Sequence, residues 1–240
     1  MSLELILGPM FAGKSSAILG VVRRNEIIGR RTLCITSALD TRYSDVAAIV
    51  SHNKESYPAT AAARLLPILE TNDFKGVKCI VIEESQFFPD LKEFVLAAVD
   101  EHKKEVICVG LDGDSERRPF GQLVELIPYA DSFKKLTALC QRCGDGTPAI
   151  FTFRKPGGVA GQIAVGGTDK YEPVCRRHYH EERHQVEIEQ FMLEQLPAEP
   201  QPSSEKLTQI LEACVARFGA KEGAIVYENM LAVLTRSRTD

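Results

Sequence analysis

The chain opens on a mostly apolar run, Leu3-Glu4-Leu5-Ile6-Leu7, which predicts a strand entering the core. Ala17, Ile18, Val21, Val22 and Ile28 then recur at the spacing of one helical face, and Gly29 stands where that helix would stop. Thr32-Leu33-Cys34-Ile35 follows as a second strand. From Asp40 through Ser51-His52-Asn53 the chain is polar without a sustained period, the pattern of a long loop of the kind that carries function. Ala59 to Leu66 favours helix, limited by Pro67. Val77 to Ile82 is almost continuously apolar and ends in Glu83-Glu84, as expected of a strand buried on both faces. Leu91 to Val99 reads as an amphipathic helix, and Val106 to Leu111 as another buried strand. Strands alternating with helices at this spacing predict an α/β fold with a parallel sheet. Ligands gather at the carboxyl ends of such strands. The turn after Leu7, Asp40-Thr41-Arg42, Glu83-Glu84 and Asp112 all fall at such ends, which points to one site.

Past Ala130 the pattern changes. His178 to Gln195 reads as a charged helix, and Pro197 to Ser204 is a linker by composition. Leu207, Ile210, Leu211, Cys214, Val215 and Phe218 form one apolar helical stripe ended by Gly219, and Ile225 to Leu234 predicts a further helix. Two such helices need a partner surface, in their own domain or on another subunit. The expected division is a domain over 1–138, a small one over 139–185, and a helical tail over 186–240 with its linker near 197–204.

At 240 residues, 44% hydrophobic and 26% charged, the composition is that of a soluble globular protein. The net charge of −4 excludes general attraction to nucleic acid, and no apolar run is long enough for a membrane span. The start shows no signal-peptide pattern. Cys34, Cys79 and Cys108, three of seven cysteines, lie in apolar strand-like runs, as small buried hydrophobes of a reducing compartment do. A cytoplasmic location is the expectation.

Candidate chemistry starts at Gly8-Pro9-Met10-Phe11-Ala12-Gly13-Lys14-Ser15, which fits the phosphate-binding pattern G-x-x-x-x-G-K-[ST] between a strand and a helix. Gly8 and Gly13 let successive N–H groups turn inward as an anion nest at a helix N-terminus. Lys14 adds charge for β- and γ-phosphates, and the Ser15 hydroxyl can ligate Mg²⁺. Further on, Cys140-Gln141-Arg142-Cys143 is followed after 31 residues by Cys175-Arg176-Arg177-His178. Two such knuckles supply the four ligands of a structural Zn²⁺ site, Cys140, Cys143, Cys175 and His178, with His180 the rival for the fourth place. Between them, Gln162 to Gly167 is glycine-rich and flanked by Gly157-Gly158 and Tyr171, suited either to close backbone contact with a ligand or to a hairpin loop of the zinc module.

Together these segments resemble the type II, zinc-containing thymidine kinases. The resemblance is carried by Gly8 through Ser15, Asp40-Thr41-Arg42-Tyr43, Glu83-Glu84-Ser85-Gln86-Phe87-Phe88, Gly110-Leu111-Asp112-Gly113 and Arg118-Pro119-Phe120-Gly121. Lys135-Leu136-Thr137-Ala138 with the first knuckle, and Gly166-Gly167-Thr168-Asp169-Lys170-Tyr171 with the second, extend it from about Leu3 to His178. It implies a RecA-like P-loop domain with a parallel sheet and a zinc-ribbon domain bearing a lasso loop; the helical C-terminal extension is read from its own apolar stripes and lies outside the resemblance. The implied activity is transfer of the γ-phosphoryl of ATP to the 5′-hydroxyl of thymidine. The implied partners are thymidine and ATP, with Mg²⁺, structural Zn²⁺, thymidine triphosphate as feedback inhibitor, and further copies of the chain in a homo-oligomer, a tetramer in the family and a dimer if the tail limits assembly. No nucleic acid and no membrane are implied.

By position, the resemblance makes Glu84 the general base and Glu83 with Ser15 the Mg²⁺ holders, with Lys14 and Arg42 on the phosphates. It places ATP along Gly8, Pro9, Met10, Phe11, Ala12, Gly13, Lys14, Ser15 and Ser16. Met10, Phe87, Leu111, Phe120 and Thr152 pack around thymine, and Val165, Gly167 and Tyr171 belong to the lasso. Three positions depart from the family pattern: Glu83 where aspartate is common, Ser115 where an aromatic often stands, and Phe153 in place of a polar residue. These departures and the tail motivate a second reading, a nucleotide-binding partner or regulatory subunit with impaired catalysis. Nucleic-acid binding by the zinc segment is a third, disfavoured by the acidic balance.

Overall fold

The computed structural model describes residues 1–39, 48–50, 55–155, 166–195 and 202–236. The chain divides into two compact units, Met1–Tyr179 and His180–Asp240.

The first unit begins with β1 (Ser2–Leu7), α1 (Lys14–Ile27), β2 (Thr32–Ser37) and three short strands, β3 (Ala48–Val50), β4 (Ser56–Pro58) and β5 (Thr60–Ala62). It continues through α2 (Asn72–Gly76), β6 (Cys79–Ile82), α3 (Leu91–Leu96), β7 (Glu105–Gly110) and β8 (Ser132–Lys135). Six strands form one sheet in the order β5-β2-β6-β7-β1-β8, and every pairing in it is parallel. A parallel sheet must be covered on both faces, and the side chains alternate accordingly. Leu3, Leu5, Leu7, Ile35, Ile80, Ile82 and Val106 pack with Phe74, Phe88, Leu91 and Phe94 in one core. Ile6, Cys34, Val81, Ile107 and Val109 pack with Ile18, Leu19 and Val22 of α1 in another. Each fully buried Leu, Ile or Phe contributes about 1.5–3 kcal/mol, so the run 79–82, buried throughout, has no tolerance for polar substitution. Because all strands run the same way, the ends of β1, β2, β6 and β7 open onto one edge, as the strand-end argument requires.

Burial makes all three strand cysteines poor nucleophiles: Cys34 is pushed up to about 12, and Cys79 and Cys108 are raised as well. One local expectation fails. The stretch Ala59–Leu66 is not helical: Thr60–Ala62 pairs in register with Ile35–Ser37 as the edge strand β5, and only the following Leu66–Glu70 turns as a 3₁₀ segment. Parallel pairing with β2 outweighs the high helix propensity of the four alanines in this stretch, because tertiary pairing overrides a local preference worth only tenths of a kcal/mol per residue. The predicted helix from Leu91 also changes hand-over: after Leu96 it widens into a π-type turn over Ala97–Glu101.

The remainder of the first unit is a set of small antiparallel pairs. β9 (Ala138–Leu139) pairs with β10 (Pro148–Ala149), and β11 (Phe151–Arg154) with β12 (Tyr171–Val174). The glycine-rich stretch is therefore the connection of the β11–β12 hairpin; its residues 156–165 lie outside those described.

Helix α4 (Arg176–Gln195) leads into the second unit, which holds α5 (Ser204–Phe218) and α6 (Ala220–Arg236). The Ser203 hydroxyl caps α5 by accepting from the Lys206 N–H. The α5 stripe finds its partners within the unit: Ile210 and Cys214 pack with Val226 and Met230 of α6 and with Ile188, Phe191 and Met192 of α4. His184 and Glu222 meet at 2.6 Å across the same group of helices. The last helix starts five residues before its first predicted apolar position, because Gly219 both ends α5 and accepts the first bond of α6 from the Gly223 N–H. No helix among the described residues is long and apolar enough to cross a membrane.

Candidate active site and metal centre

The loop Gly8–Ser15 connects β1 to α1, whose first residue is Lys14. At Gly8 a side chain would have no room, since a Cβ there would lie 2.6 Å from the Leu136 carbonyl oxygen. The Lys14 ammonium turns back over the loop and donates to the carbonyl oxygens of Gly8 (3.1 Å) and Pro9 (2.7 Å). Ser15 Oγ donates to Glu83 Oε1 at 2.6 Å, so the loop hydroxyl and the first carboxylate after β6 meet directly. Glu83 is buried, and its N–H is fixed on the Ile35 carbonyl of β2. A hydroxyl and a carboxylate in contact form an oxygen donor set of the hard type that suits Mg²⁺.

Glu84 turns sharply. Its φ of 50° and ψ of 42° lie in the left-handed region, a conformation that costs a non-glycine residue about 1–3 kcal/mol and clusters at functional sites. Its Oε2 accepts from Gln86 Nε2 at 2.6 Å, while Gln86 Oε1 accepts from the Leu111 N–H at 3.0 Å. Ser85, fully buried, donates to the Ile82 carbonyl and accepts from the Val109 N–H, so the turn after β6 is tied to β7. The resemblance gives Gln86 and Ser85 no role. The available signal was a buried pair of polar residues between two apolar strands.

The proposed nucleoside residues fall into linked groups. Phe87 and Phe120 meet edge to face, centroids 5.5 Å apart. Met10 in the phosphate loop donates its N–H to Thr152 Oγ1 of β11 at 3.0 Å, which joins the loop to the hairpin of the zinc module. Tyr171 opens β12 opposite Arg154, whose guanidinium lies 5.6 Å from the tyrosine ring centre. Gly167 donates to Asp169 Oδ1 and its carbonyl accepts from the Tyr171 N–H, a closed turn at the end of the glycine-rich stretch. Arg42 and Val165 lie outside the described residues. Between Leu111 and Phe120 the chain is held by Asp114, which accepts from the N–H groups of Glu116 and Arg118 and from Arg118 Nε. The Ser115 carbonyl, in turn, accepts from the Tyr179 hydroxyl at 2.8 Å.

Cys140, Cys143, Cys175 and His178 form a cluster that could hold a metal ion; their ligand atoms all lie within 4.8 Å of one another. His178 Nδ1 is 3.4 Å from Cys140 Sγ, 3.4 Å from Cys143 Sγ and 3.5 Å from Cys175 Sγ, and the sulfurs of Cys143 and Cys175 are 3.9 Å apart. A zinc tetrahedron with ordinary Zn–S and Zn–N bonds has edges of about 3.6 Å between S and N and about 3.8 Å between sulfurs. The donor set fits Zn²⁺, and His178 rather than His180 completes it. Burial works against a charged Cys140, but the N–H groups of Cys175 and Cys143 and the His178 ring bring its thiol down to about 6, toward the thiolate a metal needs. Arg142 in the first knuckle donates twice to Glu172 Oε1, just before the second knuckle, and so locks the two together.

A sequence-family model described as thymidine kinase matches residues 1–179, the span of the first unit. Thymidine kinase a of Arabidopsis thaliana is 40% identical over 181 residues, 74% of this chain and 74% of its own length. The cytosolic thymidine kinase of Homo sapiens is 40% identical over 178 residues, 74% of this chain and 72% of its own. The thymidine kinase of Variola virus is 37% identical over 179 residues, which cover 96% of the viral chain.

Proposed function

The chain belongs to the thymidine kinase family, and from that premise we propose its reaction in full: transfer of the γ-phosphoryl of ATP to the 5′-hydroxyl of thymidine. The observation that carries the reading is the contact of Ser15 with Glu83, because it brings the phosphate loop and the acidic end of β6 to one point. Phosphoryl transfer asks a protein for positioning and charge neutralisation more than for covalent chemistry. The loop from Gly8 to Ser16 cradles the phosphates, and Lys14 exchanges the carbonyls of Gly8 and Pro9 for β- and γ-phosphate oxygens. Ser15 and Glu83 would hold the Mg²⁺ that offsets phosphate charge. Glu84 accepts the proton of the 5′-hydroxyl as that oxygen bonds to the γ-phosphorus and the bond to the ADP oxygen breaks. Arg42 stabilises the transferring phosphoryl.

Thymine sits among Met10, Phe87, Leu111, Phe120 and Thr152, with Val165, Gly167 and Tyr171 closing over it. Cys140, Cys143, Cys175 and His178 would hold a structural Zn²⁺, which would help to fix the β11–β12 hairpin, and with it Thr152, against the loop. Thymidine triphosphate as feedback inhibitor, homo-oligomeric assembly and a cytoplasmic location complete the reading; the last is supported by the human relative, named cytosolic. The test is a kinase assay across deoxynucleosides and thymidine analogues. Thymidine and its 3′-deoxy analogue are expected to be phosphorylated and the 5′-deoxy analogue not. Phosphorylation of the 5′-deoxy analogue would refute the assigned acceptor.

A further inference from the structure

Gln86 is 3% exposed, yet both ends of its amide are engaged. The Leu111 N–H can only donate, so the amide oxygen must face it, and the NH₂ end is left to face Glu84. A carboxylate can only accept while charged, and Nε2 meets Oε2 at 2.6 Å. The orientation of the amide is thus dictated from one side and used on the other. The surrounding backbone is shaped to hold it. A Cβ at Gly110 would lie 2.3 Å from Gln86 Oε1, and one at Gly121, whose φ is 59°, would lie 2.1 Å from the Gln86 carbonyl oxygen. Both glycines admit the residue at distances no other side chain allows.

We propose that Gln86 is a positioning residue with two separable ends, the NH₂ setting the Glu84 carboxylate for the acceptor hydroxyl and the carbonyl setting Leu111 in the nucleoside pocket. The proposal rests on Glu84 as the base and Leu111 as a thymine contact. It explains why Glu84 keeps one direction although its backbone is strained: the turn aims the side chain and the amide fixes its end. It also links catalysis to occupancy, since the element that holds the base is the one that lines the pocket. Among the described residues, three other charged groups at this edge of the sheet are engaged elsewhere, Glu83 with Ser15, Asp112 with Lys135 and Lys14 with the loop carbonyls.

The two ends can be separated by substitution. Gln86→Glu keeps an acceptor for the Leu111 N–H but places a carboxyl oxygen against Glu84, which is either repelled or bound to a shared proton. Gln86→Met fills similar space and loses both bonds. The expectation for Gln86→Glu is a fall in kcat of about 10- to 100-fold with the thymidine KM retained, a fraction of the full effect of a general base. For Gln86→Met, kcat falls and the thymidine KM also rises, while the KM for ATP stays unchanged in both. In the Glu84→Gln background, neither substitution should lower kcat further, because residues acting as a unit are not additive. A purely structural role would shift both KM values in both variants and would add to Glu84→Gln; either result overturns the proposal. If Glu84→Gln by itself retains turnover, the base assignment fails and the proposal falls with it, a result distinct from additivity. Should Gln86→Met not fold, the Gln86→Glu split and its cycle with Glu84→Gln decide alone.

Discussion

Asp90 is buried at the start of α3 and accepts hydrogen bonds from the N–H groups of Leu65 and Leu66, at 3.0–3.1 Å. Burial opposes its charge, but the N–H groups of Leu66 and Leu65, its own N–H and Arg64 outweigh that and hold it below the usual aspartate range. A depressed carboxylate contributes stability that is full above its unfolded value, about 3.9, and is lost as pH falls through the lower folded value. Asp90→Asn should therefore cost about 1–3 kcal/mol near neutral pH, with the gap to the parent closing in acid. Denaturant unfolding at several pH values measures this; a gap constant with pH would contradict it. Glu84 differs in kind. Its strained backbone directs a carboxylate that Gln86 Nε2 holds at 2.6 Å, so Glu84→Gln, which keeps the shape and an oxygen acceptor for that amide, should lose turnover with little change in Tm.

Among the elements, the short antiparallel pairs around the four candidate ligands form only a small core, so their order is expected to depend on those ligands and on the Arg142–Glu172 lock. Removing zinc with a chelator should lower Tm, release the Met10–Thr152 bond and raise the thymidine KM; an unchanged KM in metal-free protein would contradict the link. How far such elements could be foreseen follows from their surroundings. The strand 79–82 was legible because burial on both faces leaves an unbroken apolar run, and the ligand knuckles because metal geometry constrains spacing tightly. Thr60–Ala62 was not legible, since its strand state comes from β2 and not from its own residues. β8 went unseen for the opposite reason: Ser132–Lys135 is exposed along its length and carries no apolar pattern, although it pairs with β1. At the site, residue types announced Lys14, Ser15 and the two glutamates. The Gln86 bridge depends on where Leu111 returns from a strand 25 positions later, which no local pattern encodes.

For the whole molecule, the family match and the first compact unit share the boundary at Tyr179, and the second unit has its own apolar core. The chemistry should therefore reside in the first. Deleting residues 196–240 removes α5 and α6 and strips the cover from Ile188, Phe191 and Met192. The truncated protein should keep its kcat, bind a hydrophobic dye, and change its mass in solution if the tail limits assembly. Loss of kcat would place part of the catalytic machinery in the tail. The claim on which everything else depends is that the Ser15–Glu83 contact, with Glu84 next to it in the chain, belongs to a site that moves a phosphoryl group to thymidine. Its most direct measurement supplies zinc-loaded protein with Mg²⁺, thymidine and ATP labelled at the γ-phosphate. The account predicts label in thymidine 5′-monophosphate with the intact protein and almost none with Glu84→Gln. Label that stays in ATP or leaves as free phosphate in folded intact protein would contradict it.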